Sequence, residues 1–277
     1  MGPLRAVVAA LTGGFGAGKS SLPAGARVER DLAYGTDPAQ CLDVYRPAGP
    51  PTGAILVVVH GGAWAIGDKA NPAVVAAKVA HWLPAGVIVA SVNYRLLPLA
   101  GPLQQAGDVA RAIAFVQKRA ASWQADPARL VVLGHSTGAH LAALLAADPA
   151  LRDKEGAAPW LATILLDSAA LDVVEIMRRP HRPFYDRAFG AGEADWHELS
   201  PLHRLRAKPA PLLLVCSDAR PDSAGASHRF AGAATTLGGR AEVHEVPLTH
   251  AEINAELGQV NAYTEHVDAF LKSVGVP

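Results

Sequence analysis

The pentapeptide Gly134-His135-Ser136-Thr137-Gly138 joins two segments of different periodicity, and it could present a serine for nucleophilic attack. The apolar run 130–133 before it favours a strand, whereas the alanine- and leucine-rich run 137–147 after it favours a helix. In a sharp strand-to-helix turn, the residues two before and two after the serine are glycine because side chains would collide there. The helix start also brings the Thr137 N–H and the positive dipole end beside Ser136. The alternative is a glycine-rich turn that contains a serine by chance.

A second glycine-containing turn, His60-Gly61-Gly62-Ala63-Trp64, follows the apolar run 54–59. Two successive glycines allow the backbone to direct its N–H groups toward a ligand. Facing Ser136, these groups and the Thr137 N–H could form an oxyanion hole, the set of donors that stabilises negative charge on a carbonyl oxygen under attack. The alternative is an ordinary turn at a strand end, with Trp64 in the core.

A serine nucleophile needs a basic histidine, and in this strand-turn-helix setting the chain order is serine, acid, histidine. His250 is the candidate base, because it comes directly after the last predicted strand and before a helix. The other late histidines fit less well. His244 lies inside the strand pattern, His266 lies inside a helix pattern, and His228 comes too early.

The acid that orients the histidine is expected in the loop after the predicted strand 212–215. Two carboxylates occur there, Asp218 near the strand end and Asp222 further along, after Pro221. The sequence geometry does not decide between them. The one that is not used would be a helix cap or a surface charge.

These candidates sit in an alternation of apolar runs and helical patterns, which favours a mostly parallel sheet with helices on both faces. Residues 28–34 and 40–45, joined by a turn at 35–38, predict antiparallel N-terminal strands. The later strands are predicted at 54–59, 87–92, 130–133, 161–166, 212–215 and 242–246. Helices are predicted at 72–83, 103–119, 137–147, 227–237 and 263–274.

The segment 171–205 breaks this alternation. It is too long for a simple connection between two strands, so it predicts a short lid over the end of the sheet. Its aromatic residues would either shape an apolar pocket or pack onto the sheet. They are Phe184, Tyr185, Phe189 and Trp196.

The length, composition, net charge and cysteine count exclude several classes of protein. The chain has 277 residues, half of them hydrophobic, with a formal net charge of zero, which argues against nucleic acid or an anionic membrane surface as the main partner. No apolar run reaches the roughly 18 residues of a membrane span. Two cysteines exclude a disulfide framework. No metal or organic cofactor is implied.

The N-terminal stretch GGFGAGKS, residues 13–20, matches the Walker A pattern of phosphate-binding loops. No helical pattern follows it, because Pro23 and Gly25 intervene, so a nucleotide site is only a minor alternative. Residues 1–26 are interpreted as a flexible leader or a weak secretion signal. The expected location is accordingly cytoplasmic, or secreted or periplasmic if the leader is a signal.

From about residue 30 onward the chain resembles the α/β-hydrolase superfamily, specifically the carboxylesterase and arylformamidase-like branch related to hormone-sensitive lipase. The resemblance rests on motifs whose order and spacing match. They are Asp43-Val44-Tyr45-Arg46-Pro47, His60-Gly61-Gly62-Ala63-Trp64, Asn93-Tyr94-Arg95-Leu96, the stretch from Gly134 to Leu141, and Thr249-His250.

The resemblance implies an α/β-hydrolase domain over residues 27–277, with Ser136 as nucleophile and His250 as general base. It assigns the oxyanion amides to Gly62, Ala63 and Thr137. It favours Asp222 over Asp218 as the acid, because the branch tends to place its acid in an Arg-x-Asp-Ser stretch, here residues 220–223. Arg95 and Asp108 match positions that look structural in the family.

Two departures limit what the resemblance implies. Ala63 stands where the lipase-like members carry a third glycine, and only about 25 residues precede the first predicted strand, where that branch carries a long N-terminal cap. Acyl and alcohol preference are therefore not carried over.

The sequence thus predicts a serine hydrolase that cleaves small-molecule carboxylic esters of small to medium acyl chain through a Ser-His-Asp triad. An arylformamidase, which cleaves an N-formyl amide with the same triad, is the alternative. Minor alternatives are a binding module without catalysis and a nucleotide-binding protein.

Overall fold

The computed structural model describes residues 22–277 and contains one eight-stranded sheet in the order β1-β2-β4-β3-β5-β6-β7-β8. Strands β1 and β2 pair antiparallel, β2 pairs antiparallel with β4, and the remaining neighbours are parallel. The predicted fold class, with antiparallel N-terminal strands, is therefore confirmed. The strands are β1 Arg27–Ala33, β2 Cys41–Arg46, β3 Ile55–Val59, β4 Ile88–Val92, β5 Leu130–His135, β6 Ala162–Leu166, β7 Leu212–Ser217 and β8 Ala241–Val246.

The helices connect these strands and cover both faces of the sheet. Two short 3-10 helices, Ala120–Trp123 and Ala169–Leu171, accompany them. The α-helices are α1 Pro72–Trp82, α2 Pro102–Arg119, α3 Thr137–Ala147, α4 Pro149–Lys154, α5 Val173–Met177, α6 Pro183–Phe189, α7 Glu193–Leu199, α8 Pro201–Arg204, α9 Pro221–Thr236, α10 His250–Ala255 and α11 Ala262–Ser273.

Strand β3 explains why the central runs are continuously apolar. Ile55, Val57 and Val59 belong to the core on one face, with helices α2, α3 and α9. Leu56 and Val58 belong to the core on the other face, with α1 and α11. Both sides of the strand are buried, so neither side can carry polar residues.

Helix α9 differs from the prediction in where it begins. The apolar pattern predicts a helix near residues 227–237, but α9 begins at Pro221. Proline at the first helical position is favourable because its fixed φ suits the helix and its missing N–H needs no partner. Asp222 therefore lies in the first turn of a helix and not in an open loop.

The predictions for the N-terminal region fall mostly outside the described residues. The Walker A lookalike at residues 13–20, and nearly all of the predicted leader at 1–26, lie there. Within residues 22–277, no helix has the length and apolar character needed to cross a membrane.

The predicted structural pair, Arg95 and Asp108, joins the end of β4 to α2. The Arg95 guanidinium donates from Nε and Nη2 to both carboxylate oxygens of the fully buried Asp108, at 2.8 and 2.7 Å. The Arg95 backbone N–H, at 3.2 Å, and Gln40, at 2.7 Å, add further hydrogen bonds to the same carboxylate. Because every one of these partners is internal, the pair serves to hold the fold together.

Candidate active site

Ser136 lies in the sharp turn between β5 and α3 that the sequence predicts. Its backbone angles, φ 55° and ψ −115°, are strained for a residue with a side chain. Both flanking glycines are required by contact with the backbone. A Cβ on Gly134 would lie 2.2 Å from the Gly138 carbonyl oxygen, and one on Gly138 would lie 2.2 Å from that of Val59.

His250 begins helix α10, and its ring reaches the serine. Its Nε2 lies 3.0 Å from Ser136 Oγ. The helix start is fixed by a capping box in which the Thr249 hydroxyl accepts from the Glu252 amide and the Glu252 carboxylate accepts from the Thr249 amide. The structure therefore brings together the two residues that the sequence proposes as nucleophile and base.

His135 supports His250 from the side. Its Nε2 lies 2.9 Å from the His250 carbonyl oxygen, and the two rings lie 4.5 Å apart. Burial, and next the nearby His250, hold the pKa of His135 well below its usual value. His135 is therefore neutral and donates its Nε2–H to that carbonyl, which fixes the backbone of the candidate base.

The carboxylate beside His250 belongs to Asp167, at the end of β6, and not to Asp218 or Asp222. Asp167 Oδ2 lies 2.6 Å from His250 Nδ1, and the carboxylate is fully buried. Asp218 is exposed. Asp222 is exposed in the first turn of α9, and its Oδ2 accepts from Arg220 Nη2 at 3.4 Å.

The prediction of the acid is thus corrected from the loop after β7 to the end of β6. Because α9 begins at Pro221, Asp222 lies in the first helical turn, where its carboxylate contacts Arg220. One signal in the sequence was available: Asp167 directly follows the apolar run 161–166, whose strand neighbours that of the serine.

Several donors surround the Asp167 carboxylate. The Ser217 N–H donates to Oδ1 at 3.2 Å, and the Arg220 guanidinium donates to Oδ2. Burial alone would raise the pKa of this carboxyl group. The hydrogen bond from His250 and the positive charge of Arg220 outweigh burial and hold the pKa well below its usual range. Asp167 is therefore ionised at neutral pH.

The directions of the hydrogen bonds follow from this charge. An ionised carboxylate only accepts, so His250 carries its proton on Nδ1 and donates it to Asp167. Its Nε2 is then free to accept from the Ser136 hydroxyl. In this tautomer the histidine is ready to take a proton from the serine.

The turn after β3 lies directly against the serine. A Cβ on Gly61 would lie 2.9 Å from Ser136 Cβ, while Gly62 and Ala63 have left-handed φ values of 138° and 49°. Within residues 22–277, the amide N–H groups of Gly62, Ala63 and Thr137 donate to no protein acceptor. The three residues line the same cleft as Ser136, so their amides can receive a ligand oxygen.

Trp64 and His140 connect this turn to the segment 171–205. The Trp64 indole N–H donates to His140 Nδ1 at 3.2 Å, and His140 Nε2 lies 2.7 Å from the Leu199 carbonyl oxygen. Burial lowers the pKa of His140 to about 4. The neutral ring therefore accepts on Nδ1 and donates from Nε2, which joins three parts of the chain.

A cleft of about 1270 Å³ opens above Ser136. Phe184 and Tyr185 of the segment 171–205 line it, whereas Phe189 is buried 4.8 Å from the Trp64 ring. Trp196 donates its indole N–H to the Gly190 carbonyl at 2.9 Å. Two of the aromatic residues, Phe184 and Tyr185, thus line the cleft, and the other two, Phe189 and Trp196, pack against the rest of the protein. That the segment acts as a lid stays a prediction.

The described residues offer no ready metal centre. Between residues 22 and 277, no group of three or more His, Cys, Asp or Glu side chains could hold a metal ion.

Parts of the chain are similar in sequence to known proteins. The family model BD-FAE matches residues 42–161. A probable isoprenylcysteine alpha-carbonyl methylesterase of Oryza sativa subsp. japonica is 33% identical over 131 residues, 47% of this chain and 31% of that protein. Esterase LipQ of Mycobacterium tuberculosis is 28% identical over 241 residues, 80% of this chain and 56% of that protein.

Solved structures share the fold over nearly the whole chain. A truncated carbohydrate esterase from gut microbiota superposes with a TM-score of 0.77 at 20% identity, covering 93% of this chain and 98% of that one. Esterase B from Lactobacillus rhamnosis gives a TM-score of 0.75 at 18% identity, covering 92% and 89%. At these identities the likeness concerns the fold.

The chain is thus similar to named esterases in sequence over part of its length and in fold over nearly all of it. The relatives that it matches in sequence are named esterases and methylesterases. The chain spans about a third of the length of the methylesterases that it matches, since the aligned part covers 31% of the rice protein.

Proposed function

We propose that the protein is a serine esterase that cleaves small-molecule carboxylic esters through Ser136, His250 and Asp167, by way of an acyl-enzyme. The observation that carries this proposal is the continuous chain of contacts inside the cleft. Ser136 Oγ lies 3.0 Å from His250 Nε2, and His250 Nδ1 lies 2.6 Å from the Asp167 carboxylate.

In the first step, the Ser136 oxygen attacks the carbonyl carbon of the ester as His250 Nε2 removes the hydroxyl proton. Asp167 stabilises the resulting imidazolium and holds the ring in position. The imidazolium then gives its proton to the leaving alcohol, and the acyl group remains on Ser136. In the second step, water attacks the acyl-enzyme with His250 again as the base, and the carboxylic acid departs.

The negative charge that develops on the carbonyl oxygen needs donors. We assign this role to the amides of Gly62, Ala63 and Thr137, which line the cleft and have no protein acceptor among the described residues. Each such donor contributes about 3 kcal/mol to lowering the barrier. Because the strained turns hold these amides before substrate arrives, little reorganisation is needed during the reaction.

The choice of substrate class draws on the cleft and on the relatives. The cleft of about 1270 Å³ has ample volume for an acyl chain of small to medium length. Phe184 and Tyr185 supply an apolar wall. The relatives are named as esterases and methylesterases, which supports an ester with a small alcohol.

The test is hydrolysis of p-nitrophenyl acetate and p-nitrophenyl butyrate at pH 8 by wild type and by Ser136→Ala. We expect turnover by wild type and a loss of several orders of magnitude in the variant, since Ser136 supplies the hydroxyl that lies within hydrogen-bond distance of His250 Nε2. Ser122→Ala, at an exposed serine, is the matched control and should retain full activity. Ester hydrolysis that persists in Ser136→Ala would refute the proposal.

An N-formyl aniline assayed beside the esters separates the arylformamidase alternative. Turnover of the formamide without turnover of the esters would replace the proposed substrate class while keeping Ser136 as nucleophile. Failure of both substrates would remove the hydrolytic proposal for these small probes.

A further inference from the structure

Arg220 lies where β7 leads into α9, and its side chain reaches back into the cleft beside the proposed triad. The side chain is about three-quarters buried, with 27% of its surface exposed. The side chain lies next to both the Asp167 carboxylate and the His250 imidazole.

The guanidinium divides its donors between two carboxylates. Nη1 donates to Asp167 Oδ2 and lies 3.3 Å from the Asp167 carbonyl oxygen. Nη2 lies 3.4 Å from Asp222 Oδ2. Arg220 is therefore held on one side by the buried Asp167 and on the other by the exposed Asp222. Such a two-sided attachment fixes the planar guanidinium in one orientation.

The same Nη1 lies 2.8 Å from His250 Nδ1, which is also the atom that faces Asp167. Nδ1 cannot form hydrogen bonds with Asp167 and Arg220 at the same time. If it carries a proton, it donates to Asp167; if it does not, it accepts from Arg220. Only the first tautomer leaves Nε2 free to accept the serine proton, so Arg220 must direct its own proton to Asp167 Oδ2 during catalysis.

The charge of Arg220 has a second effect on the same ring. A cation within 3 Å of Nδ1 opposes the binding of a second proton by His250. The other groups near the ring do not supply this charge: His135 is neutral, Asp167 is negative, and burial lowers the pKa of Lys78, whose amine binds the Asn254 carbonyl, to about 7. Tyr185 and Asp222 complete the surroundings of the guanidinium.

We propose that Arg220 is a positioning residue for the triad, resting on the function proposed above. It holds the Asp167 carboxylate toward His250, and its positive charge keeps His250 unprotonated, and so active as a base, at lower pH. Arg220 thereby sets the acid limit of the pH range in which the enzyme works.

The test is the pH profile of kcat/KM for p-nitrophenyl acetate between pH 5 and 9 in wild type, Arg220→Gln and Arg220→Lys. In Arg220→Gln we expect the acid limb to move upward by about 0.5 to 1 pH unit, because the opposing charge is gone. The plateau should fall about tenfold as the Asp167 carboxylate loses its fixed partner. Arg220→Lys keeps the charge, so its acid limb should stay near that of wild type while its plateau falls.

Asp222→Asn is the matched variant on the outer side of Arg220. It removes the counter-charge but leaves the guanidinium in place, so the acid limb should move slightly downward or not at all. A purely structural role of Arg220 would lower the plateau of both Arg220 variants without moving the limb. That outcome, with both variants folded by thermal melting, would overturn the proposal.

A second readout does not require turnover. The protonation of the His250 ring can be followed by nitrogen-15 NMR in Ser136→Ala and in Ser136→Ala with Arg220→Gln. We expect the midpoint of the titration to be higher by about 0.5 to 1 pH unit in the double variant. An equal midpoint would contradict the role of Arg220 even if ester hydrolysis fails, so the two proposals can fail separately.

Discussion

The two nitrogens of the His250 ring face regions that are built by different physical forces. On the Nε2 side, Ser136 is placed by contacts between backbone atoms that approach too closely for any side chain at Gly134 or Gly138. On the Nδ1 side, Asp167 is placed by charges and hydrogen bonds from Arg220 and the Ser217 amide.

This difference explains why the residues on the Nε2 side of the ring form a recognisable sequence motif, whereas those on the Nδ1 side do not. A collision with the backbone permits a single residue type at a fixed spacing, which is readily recognised. An electrostatic requirement can be met by a carboxylate on any nearby strand end, because charges act over several ångströms. The acid therefore has several candidate positions in the sequence, and the carboxylate that lies beside His250 in the structure is Asp167 and not one from the loop after β7.

The largest effect is expected on the Nδ1 side of the ring. It is the difference in kcat between Asp167→Asn and Asp222→Asn. Asn at position 167 keeps the shape but cannot hold His250 in the required tautomer, so kcat should fall about 10,000-fold. Asp222→Asn removes only an exposed partner of Arg220 and should change kcat at pH 8 by less than about threefold. Both rates are measured with p-nitrophenyl acetate.

The reverse order of these two effects would return the acid to the loop after β7. Comparable losses in both variants would mean that the two carboxylates act together through Arg220, and the contrast between the two sides of the ring would then be too simple.

The next largest effect is expected on the Nε2 side of the ring and is measured as a change in the free energy of unfolding. A Cβ at Gly138 would lie 2.2 Å from the Val59 carbonyl oxygen and 2.6 Å from that of His60, and neither backbone can move freely. Gly138→Ala should lower the free energy of unfolding by about 3 kcal/mol. Gly232→Ala, in helix α9 with no atom within 4 Å, should raise it by about 0.5 to 1 kcal/mol. Urea titration measures both, and a Gly138→Ala variant as stable as wild type would show that the turn can relax.

The smallest effect concerns Lys78, which supports the helix that carries His250. Its buried Nζ donates to the Asn254 carbonyl at 2.7 Å, and burial lowers its pKa to about 7. The unfolded chain therefore holds a proton between pH 7 and about 10 that the folded chain releases, so stability rises with pH across this window. Between pH 7 and 9 this contribution is roughly 2 kcal/mol, and Lys78→Met should lose it.

The measurement for Lys78 is urea unfolding of wild type and variant at both pH values. Lys118→Met, at an exposed lysine of α2, should show the same pH dependence as wild type. An unchanged pH dependence in Lys78→Met would mean that the amine stays charged inside the protein.

Most of the fold could be predicted from the sequence because its signals are local. The continuous run of β3 reflects burial on both faces, and the Gly-x-Ser-x-Gly spacing reflects one strained turn. The start of α9 could not be predicted because Pro221 interrupts the apolar pattern while suiting the first turn of a helix. The contacts of Asp167 with Arg220 and His250 join strands that are far apart in the chain. No local sequence pattern predicts contacts of this kind.

Helix α3 has a consequence for the order of events during synthesis. All 11 of its residues are buried, so no face of it suits water. Ser136 and His250 are 114 positions apart, so the proposed base is synthesised long after the proposed nucleophile. A nascent chain that has emerged only as far as α3 exposes an apolar helix that later strands must cover. The growing chain thus carries Ser136 before His250 has been synthesised, and chaperones would meet this helix before the proposed active site is complete.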